Sequence, residues 1–226
     1  MRKTLYLSHL IDHDTPTYGN RHRFILEKNS SIERGDVAND SFIETTVHIG
    51  THIDMPYHFH DNGQTIEDFS SDFWVFEKVA CVEISVDDNF MIGESLLKNI
   101  DQRKIDSDIE MLIVKTGFCT IRDKEDYWKN NPGFEPFLYE ELRERFQKLR
   151  ILGFDSISVS SFANRSKGRE AHKTFLNPLD PILLLEDMSL SDIHKDTIFV
   201  EVVVAPMLIS KCDGLPCTVI AKIAER

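Results

Sequence analysis

Residues 47 to 55 read VHIGTHIDM, and their parity constrains the fold more than any other feature of the chain. The odd positions are Val47, Ile49, Thr51, Ile53 and Met55, and the even ones are His48, Gly50, His52 and Asp54. In a β-strand alternate side chains face opposite sides. A strand here therefore has an apolar face for the core and an opposite face bearing two imidazoles and a carboxylate. A helix would put His48 and His52 on one face but turn Asp54 away, and Gly50, the β-branched run and Pro56 oppose a helix.

Along the rest of the chain, strands alternate with short helices. TLYLSHLI reads as a first strand, and polar residues 12 to 40, with Pro16, Gly19 and Gly35, read as a long loop of the kind that often covers an active site. FEKVACVEISV reads as a strand and GESLLKNI as a short helix. MLIVKTGF is a continuous apolar run that suits a buried central strand. Residues 120 to 133 are charged and aromatic and end in a turn, Asn131-Pro132-Gly133. YEELRERFQKLR predicts a helix with Leu142, Phe146 and Leu149 on one face and Gly153 as its C-terminal cap. DSISVSS predicts a strand, REAHKTFL a short helix ending before Pro178, and PILLLEDM, TIFVEVVVAPMLI and CTVIAKI further strands. This order implies an α/β chain with a mixed sheet, and the strand-rich ends hint at a barrel-like or two-layer sheet. At 226 residues, with no internal repeat or Gly/Ser linker, the chain fits one α/β domain or two small ones.

Composition narrows the partners. The net charge is −12, so the basic footprint of a nucleic-acid binder is missing. The same charge disfavours a strongly anionic substrate unless a metal or local Arg and Lys groups reverse the field. Cys81, Cys119, Cys212 and Cys217 are scattered without a C-x-x-C pair, as expected of thiols in a reducing cytosol. In MRKTLYLSHLID the apolar run is only Leu5 to Leu7, so no secretory signal is expected. No segment approaches the ~18 apolar residues of a membrane span. The expectation is a cytoplasmic protein with a small-molecule partner and no nucleic-acid or membrane partner.

Two neutral imidazoles and a carboxylate form a borderline-hard site, better suited to Zn²⁺, Mn²⁺ or Fe²⁺ than to Ca²⁺ or Mg²⁺. Three protein ligands leave room for water, the pattern of a catalytic centre. His58 follows Asp54 by four residues, near enough to reach such a water and to shuttle a proton near neutral pH. The competing readings are a His-rich surface and the cupin H-x-H at His58-Phe59-His60. The cupin motif needs a Glu four or five residues on, where this chain has Gln64 and Thr65.

HIGTHIDMPYHF resembles the signature H-x-G-T-H-x-D-x-P-x-H of the metal-dependent cyclase family, whose best-known members are bacterial kynurenine formamidases. YLSHLID, LIVKTGF, ILGFDSISV, EAHKTFL with PILLLEDM, and VVVAPMLISKCDGLPCTVIA are similar to further segments of that family, so the likeness runs along almost the whole chain. The resemblance implies a single domain over 1–226 with a swivelling β/β/α fold. It implies that His48, His52 and Asp54 hold a first divalent ion, that Asp54, His172 and Glu186 hold a second, and that His58 is the acid/base residue. Zn²⁺ is the first choice of ion, Mn²⁺ the second, with one or two ions per chain. It implies hydrolysis of an aryl formamide such as N-formylkynurenine or of a cyclic amide such as isatin, in a homodimer or homotetramer. The alternative is a non-catalytic metal- or small-ligand-binding protein on the same fold. Tyr18, in TPTYGN, stands where formylkynurenine-cleaving members carry an aromatic residue, usually Trp, and is the expected substrate-binding side chain. The chain departs from the family in the altered Pro-Gly beside Tyr18, a longer segment around 120 to 135, and Thr218 where an Arg is common.

Overall fold

The computed structural model describes residues 2–87 and 90–224. After strand β1 (Arg2–Tyr6) comes a hairpin where a bare loop was expected. Within residues 12 to 40, β2 (Ile25–Ser30) begins an antiparallel pair with β3 (Asp40–Glu44). Nearly every residue of both strands is exposed, Leu26, Phe42 and Ile43 included. Neither strand has a buried face, so no apolar alternation announces them.

The parity stretch is also shorter as a strand than expected. Only β4 (His52–Asp54) is extended in the sheet. Gly50 has a φ of +59°, and a Cβ there would stand 2.9 Å from Ile11 Cγ1. The chain bends at this glycine, so His48 and His52 do not share one strand face.

Short strands β5 (Val75–Phe76), β6 (Val79–Glu83) and β7 (Met91–Ile92) lead to helix α1 (Glu94–Arg103), which buries Leu96, Leu97 and Ile100. Strand β8 (Met111–Lys115) is the expected central strand: Met111 to Val114 are fully buried between two parallel neighbours. Helix α2 (Glu125–Lys129) follows, and Gly133 opens strand β9 (Gly133–Phe134) where a turn was expected. A Cβ on Gly133 would meet Ser161 N at 2.5 Å, so close backbone packing explains this glycine. Helix α3 (Leu138–Arg145) stops one turn early, with Leu149 buried beyond its end. Gly153 is no helix cap. It lies in strand β10 (Ile151–Phe154), where a Cβ would press on Met188 Sδ at 2.6 Å. DSISVSS is a buried irregular connection and not a strand. Helix α4 (Arg165–Phe175), then strands β11 (Leu183–Glu186), β12 (Ile198–Pro206) and β13 (Gly214–Ala224), complete the order.

One mixed sheet runs β5-β12-β13-β4-β11-β10-β8-β6, with β1 also paired to β13. Strands β6, β8, β10 and β11 are mutually parallel, and β4, β13, β12 and β5 continue antiparallel. This is the mixed α/β architecture with short helices that the sequence implies. Strand β4 lies between β11 and β13, so register sets Glu186 opposite His52 and Gly214 opposite Asp54. Among the described residues, no helix is long and apolar enough to cross a membrane.

Candidate active site

The polar residues of β4 meet those of β11 and α4 at the floor of a cavity of about 340 Å³, within the size range of small-molecule pockets. His52, Asp54, His172 and Glu186 are all buried, and His48 is partly buried. The two oxygens of Asp54 look in different directions. Oδ1 lies 2.9 Å from His48 Nδ1 and 3.6 Å from His52 Nε2, while Oδ2 lies 3.3 Å from His172 Nε2. Glu186 closes the set, with Oε2 at 3.5 Å from His52 Nε2 and Oε1 at 3.8 Å from His172 Nε2. All five residues read from the motif and the family resemblance thus come together.

The hydrogen bonds on the far side of two imidazoles define their chemistry. His52 Nδ1 donates to Gly50 O at 2.8 Å, and His172 Nδ1 donates to Gly168 O at 2.8 Å. A neutral imidazole that donates from Nδ1 carries a lone pair at Nε2. Those lone pairs face carboxylate oxygens, an arrangement that repels unless a proton or a cation sits between. Burial holds the His52 imidazole below its ordinary pKa, so a proton there is disfavoured. A divalent cation fits. Two ligands about 2.1 Å from a tetrahedral ion stand roughly 3.4 Å apart, close to the separations seen around Asp54. Backbone carbonyls on the outer ring nitrogens are the usual support for metal-bound histidines.

The protonation pattern of the bare chain points the same way. Burial opposes charge on His48, yet Asp54 and Asp213 outweigh it and push the imidazole up to about 10. Burial and the neighbouring Asp54 push the Glu186 carboxyl well above the usual carboxylate range. Asp54, against the same burial, is held well below it by His48 and His172. Lacking a lysine or arginine among these groups, the chain places its neutralising protons on a histidine and a glutamate.

Asp213 was not anticipated. Its Oδ2 lies 2.9 Å from His48 Nε2 and 3.0 Å from His58 Nδ1, and these contacts drop its carboxyl below the usual range. It is the last residue of the β12–β13 connection, next to Gly214, where a Cβ would come within 2.4 Å of the His48 ring. That Asp-Gly pair was its one trace in the sequence. His58 lies in the turn Pro56–His58, its ring 4.2 Å from that of His48. It offers a ring nitrogen to the same donor clusters, with Asp54 and His172 and with His48 and Asp213. His60 points elsewhere: its Nε2 donates to Lys173 O at 3.0 Å and ties the turn to α4. Tyr18 lines the cavity wall with its ring 5.6 Å from that of Phe162, and Phe59, also in the lining, stacks on His172 at 4.6 Å.

Comparison with known proteins places this geometry in context. A family model described as "Putative cyclase" matches residues 5–161. A kynurenine formamidase of Bacillus cytotoxicus is 22% identical over 218 residues, covering 96% of this chain and 95% of that protein. Isatin hydrolase A from Labrenzia aggregata, solved with benzyl benzoate, superposes with a TM-score of 0.84 at 21% identity, over 99% of this chain and 94% of that one. A structure described as a "predicted metal-dependent hydrolase" from Bacillus stearothermophilus gives a TM-score of 0.75 at 19% identity, over 98% of both chains.

Proposed function

The chain belongs to the cyclase family, and on that premise we propose that it is a metal-dependent hydrolase of an amide bond, acting on an aryl formamide or a cyclic amide. His48, His52 and Asp54 would hold a first divalent ion, and Asp54, His172 and Glu186 a second. The observation that carries this reading is the pair of buried imidazole lone pairs, on His52 and His172, facing the buried carboxylates Asp54 and Glu186. When bound, the ion acidifies water and polarises a carbonyl oxygen, and Zn²⁺ suits this donor set first, Mn²⁺ next.

The chain's own residues supply the rest. With Nδ1 bound to Asp213, His58 keeps Nε2 for the substrate. A proton held there passes to the leaving nitrogen as the C–N bond breaks and the carbonyl carbon takes its new oxygen from water. Asp213 orients His48 and His58 together, so the ligand and the proton carrier share one anchor. Tyr18 and Phe59 offer ring faces to an aryl substrate.

The test is metal quantification on the purified protein, with N-formylkynurenine, formanilide and isatin assayed before and after chelation. Turnover should vanish with the metal and return on adding Zn²⁺ or Mn²⁺. Full activity after verified metal removal would sink the reading, and bound metal without turnover of any amide would favour a binding protein. His58→Ala should keep the metal and lose roughly 10²- to 10⁴-fold in kcat. Metal lost in that variant would make His58 a ligand.

A further inference from the structure

Glu67 reads as one more surface acid in a chain of net charge −12, yet its carboxylate is bonded to a segment far along the chain. It lies in the turn Ile66–Asp68, which buried Ile66 and a Thr65–Asp68 capping box hold in place. Its Oε1 accepts from the Ser210 hydroxyl and, at 3.1 Å, from Lys211 N–H, and its Oε2 accepts from Thr65 Oγ1 at 2.6 Å. These bonds, the one from Ser210 first, hold its carboxyl down to about 2, so near neutral pH it is an acceptor only. Ser210 and Lys211 belong to the β12–β13 connection, residues 207 to 213, which ends at Asp213.

Little else fixes that connection. Met207 and Leu208 are exposed, and among its apolar side chains Cys212 alone packs on the core. Among the described residues, Glu67 is the one side chain from elsewhere that hydrogen-bonds it between Leu208 and Cys212. Lys211 has a φ of +57°, a left-handed conformation that a lysine keeps only where its surroundings hold it. Its amide is a group that Glu67 engages.

The contacts close into a ring. Gly63 packs so tightly on the preceding turn that a Cβ would stand 2.3 Å from the Pro56 carbonyl carbon, and Tyr57 N–H donates to Gln64 O at 3.2 Å. The Pro56–His58 turn and the Glu67 turn are thus one unit, with His58 towards one end and Glu67 towards the other. Glu67 holds Ser210 and Lys211, and Asp213 then returns to His58 Nδ1 at 3.0 Å and His48 Nε2 at 2.9 Å. We infer that Glu67 is a positioning residue: by latching the β12–β13 connection to the His58 turn, it holds Asp213 against His48 and His58. That these histidines act as metal ligand and proton carrier rests on the hydrolase reading above, whereas the latch itself does not.

The experiment compares the natural full-length chain with Glu67→Ala, Glu67→Gln and Asp213→Ala. Amide hydrogen exchange over residues 207–213 should quicken in Glu67→Ala. In the metal-free protein at fixed pH, the NMR ring signals of His48 and His58 should shift in Glu67→Ala, while those of His9, beside Asp187, stay. Zn²⁺ affinity in a chelator competition should fall about two- to ten-fold, the worth of an ordinary hydrogen bond. Glu67→Gln keeps an acceptor and should restore all three most of the way. If Glu67 acts through Asp213, adding Glu67→Ala to Asp213→Ala should weaken Zn²⁺ binding no further. Unchanged exchange, unmoved ring signals, or affinity losses that add in full would each overturn the inference. If the natural chain binds no Zn²⁺, the hydrolase reading falls, and the exchange and ring signals still decide the latch.

Discussion

Glu186 and Asp187 are adjacent in sequence and almost equally buried, at 3% and 1% exposure, yet they meet burial in opposite ways. Asp187 takes its counter-ion from the chain. Arg122 grips it with Nε at 2.8 Å and Nη2 at 2.7 Å, the Tyr127 hydroxyl donates a further short bond, and Thr51 Oγ1 donates to its carbonyl. Burial and Asp187 together push the Tyr127 hydroxyl well above its usual range, so it stays a donor. Glu186 receives only neutral donors, Val159 N–H at 2.8 Å and Ser158 Oγ at 3.3 Å, and faces imidazole lone pairs on its other side. A buried charge without a partner costs several kcal/mol. The first carboxylate is complete within the chain. The second has no fixed cation from the chain: without one its carboxyl is pushed well above the usual range and keeps a proton, in the place an outside cation would take. That contrast separates a structural ion pair from a candidate metal site more sharply than burial does.

The largest effect expected from breaking this contrast is on stability. Arg122→Met leaves Asp187 buried with only the Tyr127 hydroxyl and the His9 imidazole, 3.9 Å away, beside it, and should cost about 3–5 kcal/mol in urea unfolding of the metal-free protein. Glu186→Gln in the same metal-free state removes a carboxylate that has no cation to lose, so stability should hold or rise slightly. Its cost should appear only as a lost stabilisation by added Zn²⁺. Equal destabilisation by the two changes would erase the distinction. A smaller effect is expected at Asp213, which anchors His48 and His58 from outside the Asp54–Glu186 pair. Asp213→Asn keeps the shape and removes the charge, and should weaken metal affinity by about 10- to 100-fold in a chelator competition. An unchanged affinity would leave Asp213 as a partner of His58 alone.

The sequence exposed these regions unequally. His48, His52 and Asp54 sit in one short string and were legible at once, but strand parity was only part of the reason they converge. The chain bends at Gly50, and the bend returns His48 to Asp54. His172 and Glu186 came from family resemblance, because sheet register and helix packing bring them in from far along the chain. Asp213 was missed: a lone Asp-Gly at a turn carries no periodic signal. The helix expected over 169–176 begins a turn earlier, at Arg165. The Arg122–Tyr127–Asp187 network was illegible because Arg122 and Tyr127 fall in the charged, aromatic segment after β8, which has no pattern that points inward. The β2–β3 hairpin was hidden by the opposite cause, having no inward face at all.

Cysteine shows a third answer to burial, staying neutral, and it gives the smallest and most direct check of the contrast. Cys81 is 3% exposed on β6, and burial first, then Glu83, pushes its thiol up to about 12. In the unfolded chain the thiol ionises near 8.5. The folded value is the higher one, so the stability linked to this group is fully present below about pH 8.5 and is lost as pH rises toward 12. Each pH unit inside that window is worth at most about 1.4 kcal/mol, so near pH 10 the loss is on the order of 1–2 kcal/mol. Urea unfolding at pH 7 and pH 10 for the natural chain and for Cys81→Ala isolates the effect. Alanine leaves a constant packing penalty at both pH values but removes the titration. The gap between the two proteins should therefore narrow from pH 7 to pH 10 by about 1–2 kcal/mol. A gap that stays constant would mean that the buried thiol ionises in the folded state as readily as in the unfolded one. Burial alone would then not hold an unpaired acid neutral in this core, and the case for an outside cation at Glu186 would weaken with it.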